Sequence, residues 1–422
     1  MLASNFDNNQ DSFRKKVAIQ ELEIGMYVQE LDRPWTETPF MFQGFPIKSN
    51  NEIDMLMDLC DYVYIDVERG IDAPHVYRKP GTSDKPDADE LLKIANIART
   101  ENVYPDTTDV EDELDAAKKI YENSHQSVEE MFEALGKGGK INVLEVRDTT
   151  NRIVESVFRN PDAFMLLQKL KSKDQHHYSH AINSCALAAS FSRHIGLPRE
   201  EIKEIALGAL MLDVGILKMP NALLKKQGRL TPAMFKLVRH HVDFGVRFLE
   251  SIPEFPKMAK DMVATHHERV NGKGYPRGLS GEQIPIGGRI AAIVDCYLAM
   301  ISERPYKNSI SEHDAICEIY KWRNIDFNEE LVEQFIQCIG AYPTGTLVEL
   351  NSGQVGIILS QNRLRRLYPK VLLILNADKT HYQEPHTLDL WEHAQKYKGK
   401  VLDIKRALES DAFGIDPADY YL

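Results

Sequence analysis

Histidine and aspartate side chains that could hold a metal ion recur between residues 176 and 295. His180 shares the apolar face of the helical segment HHYSHAINSCALAASFSRHIG, and Asp213 directly follows the apolar run at 206–212. A carboxylate in such a place is costly to bury unless it is paired or bound to a metal. The six candidate ligands come from separate predicted helices or helix ends, apart from one adjacent pair: His180, Asp213, His241, His266, His267 and Asp295.

Imidazole and carboxylate groups together form a donor set that suits iron, manganese, zinc or nickel rather than calcium or magnesium. A carboxylate with ligands on both sides, as expected for Asp213, suits two metal ions a few ångströms apart. Two such ions can deprotonate a water molecule and clamp an oxygen of a phosphodiester. Two further histidines, His194 and His240, are interpreted as core residues with ordinary hydrogen-bond partners.

The composition of the whole chain is that of a soluble globular protein. Its 422 residues are 43% hydrophobic and 27% charged, which is enough for two or three domains with a sizeable core. The net charge of −12 argues against a protein that binds nucleic-acid polymers or anionic membranes. A small anionic ligand stays compatible with this charge, because local positive charge can override the average.

The cysteines and the N-terminus predict a cytoplasmic protein. The five cysteines are an odd number, widely spaced and without a CxxC pair, which fits a reducing compartment. The first residues, MLASNFDNNQDSF, are too polar for a signal peptide. No apolar run approaches the roughly 18 residues needed to span a bilayer.

The pattern along the chain predicts a multidomain protein. Strand-like runs at 17–19, 26–28 and 62–67 surround an amphipathic helix that begins at Asn51, and a stretch rich in Pro, Asp, Lys and Thr follows. The predicted divisions are a small α+β domain at 15–75, a linker at 76–110, a helical connector at 111–160, an all-helical domain at 161–340 and a C-terminal β-hairpin extension at 341–422.

Two parts of this division are specific enough to check. The connector should contain a helix that ends at the GKGG of 136–139 and a second helix at 143–157, whose apolar face could pack on its own domain or pair with its copy in a homodimer. The extension should contain a hairpin with its turn at 351–353 and a third strand at 370–375.

Two longer motifs carry a resemblance to a known family. HHERVNGKGYP at 266–276 and GLSGEQIPIGGRIAAIVDCYLAMISERPY at 278–306 resemble the HD-GYP subgroup of the HD phosphohydrolases, over about residues 165–340. The resemblance implies an all-α HD-type domain with a site for two or three metal ions, usually iron or manganese. It also implies hydrolysis of cyclic di-GMP, or sometimes of cyclic GMP-AMP. IGMYV at 24–28, YIDVERG at 64–70 and FGIDP at 413–417 are similar to segments that accompany HD-GYP domains in bacteria.

The resemblance also implies roles for individual residues. Asp213 would be the bridging ligand at the reacting centre, and Arg304 and Lys307 would bind the phosphates of the substrate. The loop Gly274-Tyr275-Pro276 would contact substrate or a partner such as a GGDEF-type diguanylate cyclase, although the same three residues could simply make a rigid turn.

Four positions depart from the family pattern. Leu212 stands where the name-giving histidine is expected, Ile216 replaces a lysine, Asn271 an aspartate and Leu298 an acidic residue. A disturbed neighbour of a ligand alone costs about 10–100-fold in affinity or activity, and a lost transition-state cation about 100–1,000-fold. We therefore expect one firmly bound ion, a second that is weak or absent, and slow turnover.

Two residues could replace the expected histidine and lysine. His176, one turn before His180, could supply an imidazole near the gap or could be a solvated residue at a helix start. Lys218 could replace the missing lysine, but it lies two residues beyond Ile216 and would point elsewhere. Two function classes therefore stay open: a slow cyclic-dinucleotide phosphodiesterase, or an inactive receptor or interaction partner.

Overall fold

The computed structural model describes residues 14–19, 22–33, 45–47, 49–57, 59–66, 104–170, 176–220, 223, 226, 231–302, 309–363, 365, 367–397, 402–409 and 412–420. The chain divides into two compact units. One comprises residues 1–84 together with 221–238, and the other comprises 85–220 together with 239–422.

The N-terminal module is a small α+β fold, as predicted. Its described elements are β1 (Arg14–Ala18), β2 (Tyr27–Leu31), β3 (Phe45–Pro46), α1 (Asn50–Met57) and β4 (Tyr62–Asp66). The strands pair antiparallel in the order β1-β4-β2-β3. Alternate strand residues and the apolar stripe of α1 enclose a core of its own, which includes Val17, Met26, Val28, Leu56, Val63 and Ile65.

The second unit is mainly helical, which confirms the predicted fold class. Its described helices are α2 (Val110–Gly136), α3 (Val143–Arg159), α4 (Pro161–Leu170), α5 (His176–His194), α6 (Arg199–Leu210), α8 (Lys257–Thr265), α9 (Ile286–Ile301), α10 (Glu312–Lys321) and α11 (Glu329–Ile339). α7 (Pro232–Glu250) begins in the segment assigned to the first unit. Short 3₁₀ helices lie at Val214–Lys218 and Gly281–Gln283.

Polar side chains set the starts of several helices. The side chains of Asn142, Ser311 and Asn328 each accept a hydrogen bond from the backbone N–H three residues later. Each of these bonds satisfies a donor that the first helical turn leaves without a partner, and is typically worth about 1 kcal/mol.

The apolar face of α3 packs within its own domain. Val146, Ile153, Val154 and Val157 are buried in an apolar cluster that α5 and α6 also line. Leu144, at the start of the helix, is 78% exposed. These four residues therefore pack on their own domain, which is the first of the two alternatives for this helix.

α5 is the central helix of the domain because two apolar clusters meet on it. Ile182, Cys185 and Ala189 face the cluster that α2, α3 and α6 build. Leu187 and Phe191 face a second cluster that includes residues of α9, α10 and α11. A helix packed on both sides has little freedom to move, so His180 at its N-terminal part has a fixed place.

The C-terminal extension is larger than the predicted hairpin. Within the described residues it contains five antiparallel strands in the order β8-β7-β6-β5-β9: β5 (Leu347–Leu350), β6 (Val355–Ser360), β7 (Lys370–Leu375), β8 (His381–Asp389) and β9 (Ile404–Ala407), with α12 (Leu390–Lys396) after β8. The predicted hairpin and third strand are β5–β7. β8 and β9 were not predicted because their residues are mostly exposed and show no apolar alternation.

Buried charges fasten this sheet to the helical domain. The guanidinium of Arg363 lies 2.7 Å from the carboxylate of Asp162 at the start of α4. Asp162 also accepts a hydrogen bond from the backbone N–H of Gln361 and one from the hydroxyl of Thr344. Extension and helical domain thus share a buried ion pair, and the loss of either partner would leave an uncompensated buried charge. The predicted domain boundaries stay a prediction.

No helix within the described ranges is long and apolar enough to cross a bilayer.

Glu349 on β5 gives a pH-dependent test of the sheet. It accepts hydrogen bonds from Lys379 at 2.9 Å and Arg406 at 2.8 Å, and these bonds lower its pKa to about 2. Since Arg406 is 60% exposed, we expect Glu349→Gln to destabilise the sheet by about 1–2 kcal/mol at neutral pH. A lowered pKa stabilises the fold above the ordinary value of 4.5, so the difference should shrink as the pH falls from 4.5 towards about 2.

Hydrogen exchange of the β5 and β9 amides at several pH values measures this difference. Glu384→Gln, at an exposed position of β8, is the matched control and should match the parent protein. A difference that does not change with pH would contradict the assignment of the stabilisation to the charge of Glu349.

Candidate metal centre

Six side chains with ligand chemistry converge in the helical domain. Among the described residues they form two groups, within each of which one atom per residue lies within 4.8 Å of the others. The first group is His180, Asp213 and Asp295, and the second is His241, His266 and His267. The structure thus brings together the six residues that the sequence analysis selected as candidate ligands.

The first group combines one imidazole with two carboxylates. Nε2 of His180 lies 3.1 Å from Oδ1 of Asp295 and 3.9 Å from Oδ2 of Asp213. Asp213 occupies the turn between α6 and the 3₁₀ helix, and its carboxylate makes no capping hydrogen bond to that helix. Its side chain is 33% exposed, so the group is open to small molecules on this side.

The second group is a cluster of three imidazoles. Nε2 of His241 and Nε2 of His266 face each other at 3.3 Å. Nδ1 of His266 lies 2.9 Å from the carbonyl oxygen of Val263, to which it donates a hydrogen bond. That bond fixes the tautomer, so Nε2 of His266 carries the lone pair and can bind a cation.

The two carboxylates join the groups. Oδ1 of Asp213 lies 3.4 Å from Nε2 of His241, while its other oxygen faces His180. Oδ2 of Asp295 lies 4.0 Å from Nδ1 of His267, while its other oxygen contacts His180. Both aspartates are therefore placed to bridge two neighbouring ligand positions.

The protonation states favour a cation at this centre. Burial, followed by the neighbouring imidazoles, lowers the pKa of His266 and lowers that of His267 further. Burial alone would raise the pKa of Asp295, but the hydrogen bond from His180, followed by the other neighbouring imidazoles, holds it well below its usual range. Neutral imidazole and ionised carboxylate are the forms that bind metals, so this donor set fits a divalent transition metal.

Close backbone contact holds Asp213 beside His241. A Cβ atom on Gly215 would lie 1.9 Å from the carbonyl oxygen of His241 and 2.6 Å from the backbone nitrogen of Gly245. No side chain fits in this space, so the 3₁₀ helix can approach α7 this closely only with glycine. The 3.4 Å contact between Asp213 and His241 depends on that approach.

The loop after the histidine pair folds back onto it. Glu268 is 1% exposed, and its carboxylate accepts hydrogen bonds from the backbone N–H groups of Arg277 and Leu279 at 2.8 and 2.9 Å. The backbone N–H of Tyr275 donates to the carbonyl of His267, and the tyrosine ring stacks on the His267 imidazole with 4.6 Å between centroids. A Cβ on Gly274 would lie 2.4 Å from the backbone nitrogen of Arg269.

Glu268 shapes the site but was not among the residues predicted from the sequence. An acidic residue directly after two candidate ligands was a usable signal, but its two backbone partners lie nine and eleven residues ahead and could not be inferred. Asn271, a departure from the family pattern, donates to Asp326 at 2.8 Å and accepts from the backbone N–H of Lys273. It therefore supports the loop without offering a carboxylate.

The position of the missing histidine belongs to the apolar core. Leu212 is 3% exposed and lies in the cluster around α9, α10 and α11. Leu298, where an acidic residue was expected, is 1% exposed and lies in the same cluster. Ile216 is half-buried in the 3₁₀ helix, and Lys218 at its end is exposed.

Several predicted residues lie outside the described part of the chain. Arg304 and Lys307 fall in the undescribed segment 303–308, and the side chains of His176 and His177 are also undescribed. His240 is 50% exposed and pairs with Asp243 at 3.1 Å, so the prediction that it is a core residue was wrong. His194 is half-buried.

Comparison with known proteins finds matches to both the N-terminal module and the helical domain. The HD domain model matches residues 165–328, and the model of a domain of unknown function, DUF3391, matches residues 14–146. A cyclic di-GMP phosphodiesterase of Pseudomonas aeruginosa is 30% identical over 408 residues, covering 96% of this chain and 92% of that protein. The chain belongs to the HD-GYP family.

Two more distant similarities accompany this match. A 3'3'-cGAMP-specific phosphodiesterase of Vibrio cholerae is 28% identical over 196 residues, 46% of this chain and 36% of that one. A solved structure of an HDGYP protein from Bdellovibrio bacteriovorus covers 76% of this chain and 98% of its own, with 14% identity and a TM-score of 0.43. The HD-GYP resemblance read from the sequence is confirmed, and HD-domain phosphohydrolases are a metal-dependent class.

Gly215 offers a direct test of how this HD-GYP centre is assembled. Gly215→Ala must push the 3₁₀ helix away from α7 and so separate Asp213 from His241. We expect the affinity for Mn²⁺ to fall by about 10-fold or more, measured by competition with a chelator, while circular dichroism shows a folded chain. Gly136→Ala is the control, because a Cβ there meets nothing within 4 Å. Unchanged affinity in folded Gly215→Ala would contradict this account.

Proposed function

We propose that this HD-GYP protein is a metal-dependent phosphodiesterase that cleaves cyclic dinucleotides slowly. Cyclic di-GMP is the first candidate substrate and cyclic GMP-AMP the second, since relatives named for each of them match the chain. The observation that carries the proposal is the arrangement of six ligand-type side chains in two adjoining groups, joined by two carboxylates.

The candidate ligands would hold two metal ions, and two cationic side chains would bind the substrate. His241, His266 and His267 with Asp213 would hold one ion firmly, and His180, Asp213 and Asp295 would hold a second ion weakly. Bound iron or manganese would supply Lewis-acid stabilisation of the phosphoryl group and would lower the pKa of a water molecule. Arg304 and Lys307 would orient the phosphates of the diester. Asp213, which is partly exposed and faces both groups, would be a ligand within reach of small molecules.

Slow turnover follows from the residues that are absent. Leu212 has no lone pair, so the group around His180 has one imidazole fewer than the family pattern. Ile216 provides no cation for the charge that develops on phosphorus, and a single donor of this kind is worth about 100–1,000-fold in rate. The described structure brings no replacement ligand to this corner, where Leu212 and Leu298 are part of an apolar cluster.

A second candidate function is a cyclic-dinucleotide receptor or an interaction partner of a GGDEF-type diguanylate cyclase. The apolar corner at Leu212 and Leu298 favours this alternative, because it removes ligands but leaves the other group intact. The contacts of Tyr275 weigh against its use in binding a partner, because its ring is stacked on His267. Pro276 is exposed and stays available for contact. A homodimer is compatible with either function.

The two functions differ in product formation. The full chain, purified without oxygen, is analysed for bound metal and incubated with cyclic di-GMP or cyclic GMP-AMP in the presence of Mn²⁺ or Fe²⁺. We expect one tightly bound ion per chain and slow formation of a linear product, both lost in Asp213→Ala. Asp243→Ala, which removes a surface carboxylate paired with His240, is the control and should behave like the parent. Binding of dinucleotide without product would favour the receptor.

Restoring the missing groups provides the converse test. Leu212→His with Ile216→Lys should raise the number of tightly bound ions towards two and increase turnover by about 10-fold or more. Leu212→Asn with Ile216→Lys is the matched control, because it introduces a polar group at the same buried position without an imidazole. If the parent already turns over rapidly and the restored variant gains nothing, Leu212 is not the defect.

A further inference from the structure

Three side chains form a continuous stack on one side of the candidate metal centre. The ring of Tyr275 lies nearly parallel to that of His267, with 4.6 Å between centroids and 28° between planes. The guanidinium carbon of Arg239 lies 4.8 Å from the centre of the tyrosine ring. Arg239 precedes the candidate ligand His241 by two residues on α7, so one helix carries a ligand and the cation that contacts this stack.

Ring packing is the main orienting contact of His267. His266 is fixed by a 2.9 Å hydrogen bond from its Nδ1 to Val263, whereas the nearest carboxylate oxygen to Nδ1 of His267, on Asp295, is 4.0 Å away. That distance is too long for a hydrogen bond. Among the described residues, the rotation of the His267 imidazole is therefore set by the rings against which it packs, including Tyr275.

The Tyr275 ring needs a contact of its own to stay in place. Its backbone is anchored by the hydrogen bond to the His267 carbonyl, but that bond leaves the side-chain torsions undefined. A guanidinium near an aromatic ring is attracted by the negative charge density of the ring face, and more strongly where water is excluded. Arg239 provides this attraction from α7, on which His241 also lies.

Arg269, a second arginine near the site, contacts the backbone of the histidine pair and another ring. Arg269 donates to the carbonyls of His266 and Glu268 at 3.2 and 3.0 Å, and its guanidinium lies 5.1 Å from the ring of Phe327. It therefore supports the backbone of the histidine pair, while Arg239 is the arginine seen over the Tyr275 ring in the described part of the chain.

We propose that Arg239 is a positioning residue of the metal centre, which orients the ligand His267 by holding the Tyr275 ring against it. The proposal rests on the metal-binding part of the proposed function. Arg239 acts through Tyr275 and does not touch the metal or the substrate.

The test measures the affinity and dissociation rate of Mn²⁺ for the full chain by competition with a chelator. Arg239→Met should lower affinity by about 2- to 30-fold, the range expected for a cation–π contact. Arg239→Lys keeps the charge but not the flat guanidinium, so its loss should be smaller. Tyr275→Phe should resemble the parent, and Tyr275→Leu should resemble Arg239→Met.

Two readouts separate this role from a general loss of stability. In a Tyr275→Leu background, Arg239→Met should change the affinity for Mn²⁺ by less than about 2-fold. The reason is that the aromatic ring through which Arg239 acts on His267 is already absent. In the Co²⁺-loaded protein, both Arg239→Met and Tyr275→Leu should shift the visible absorption bands in the same direction, since a rotated imidazole changes the ligand field.

Arg247→Met is the matched control for these measurements. Arg247 lies on the same helix with its guanidinium 5.6 Å from the ring of Phe244, a similar contact that does not involve a candidate ligand. It should bind Mn²⁺ like the parent. If the parent binds metal but the effects of Arg239→Met and Tyr275→Leu on affinity are additive, the positioning role of Arg239 is overturned and the proposed function is not. A parent chain that binds no metal would overturn both this inference and the proposed function.

Discussion

The helical domain depends on keeping two carboxylates and four imidazoles in contact at the junction of five helices. Asp213 and Asp295 each face two histidines, and the hydrogen bond from His180 holds the pKa of Asp295 well below its usual range despite burial. His266 and His267, by contrast, are driven towards the neutral form by burial. Neutral imidazoles beside a carboxylate are the donor types that a divalent transition metal takes, so the contacts of the centre fit a cation.

This requirement explains why the two sides of the centre differ. The side around His241 rests on close backbone contacts that leave no room for a side chain, at Gly215 and at Gly274. The side around His180 borders an apolar cluster that contains Leu212 and Leu298, two positions where the family resemblance implies polar residues. A leucine packed at each of these two positions carries no polar group that would have to be desolvated, so this corner is stabilised by apolar burial alone.

The candidate ligands could be predicted from the sequence because their signals are local. Each of the six lies beside an apolar helical run, and their order along the chain matches the family pattern. The residues that orient them could not be predicted in this way. Glu268 and Tyr275 act through a loop that returns to the helix end, and Arg239 acts from another helix. Such contacts depend on the path of the chain in space, and neither spacing nor periodicity encodes that path.

The same limit applies to the predicted connector. Periodicity located α2 and α3 but could not indicate that they share one apolar cluster with α5 and α6. α2 packs against α5 and against the 3₁₀ helix at Val214–Lys218, and its Phe132 and His125 contact Tyr178 at the start of α5. α5 carries the candidate ligand His180, and the 3₁₀ helix begins directly after the candidate ligand Asp213. The DUF3391 match extends to residue 146 and so includes α2. The matched region therefore includes a helix that belongs to the core of the helical domain. Through its contacts with α5 and the 3₁₀ helix, α2 helps to position His180 and Asp213.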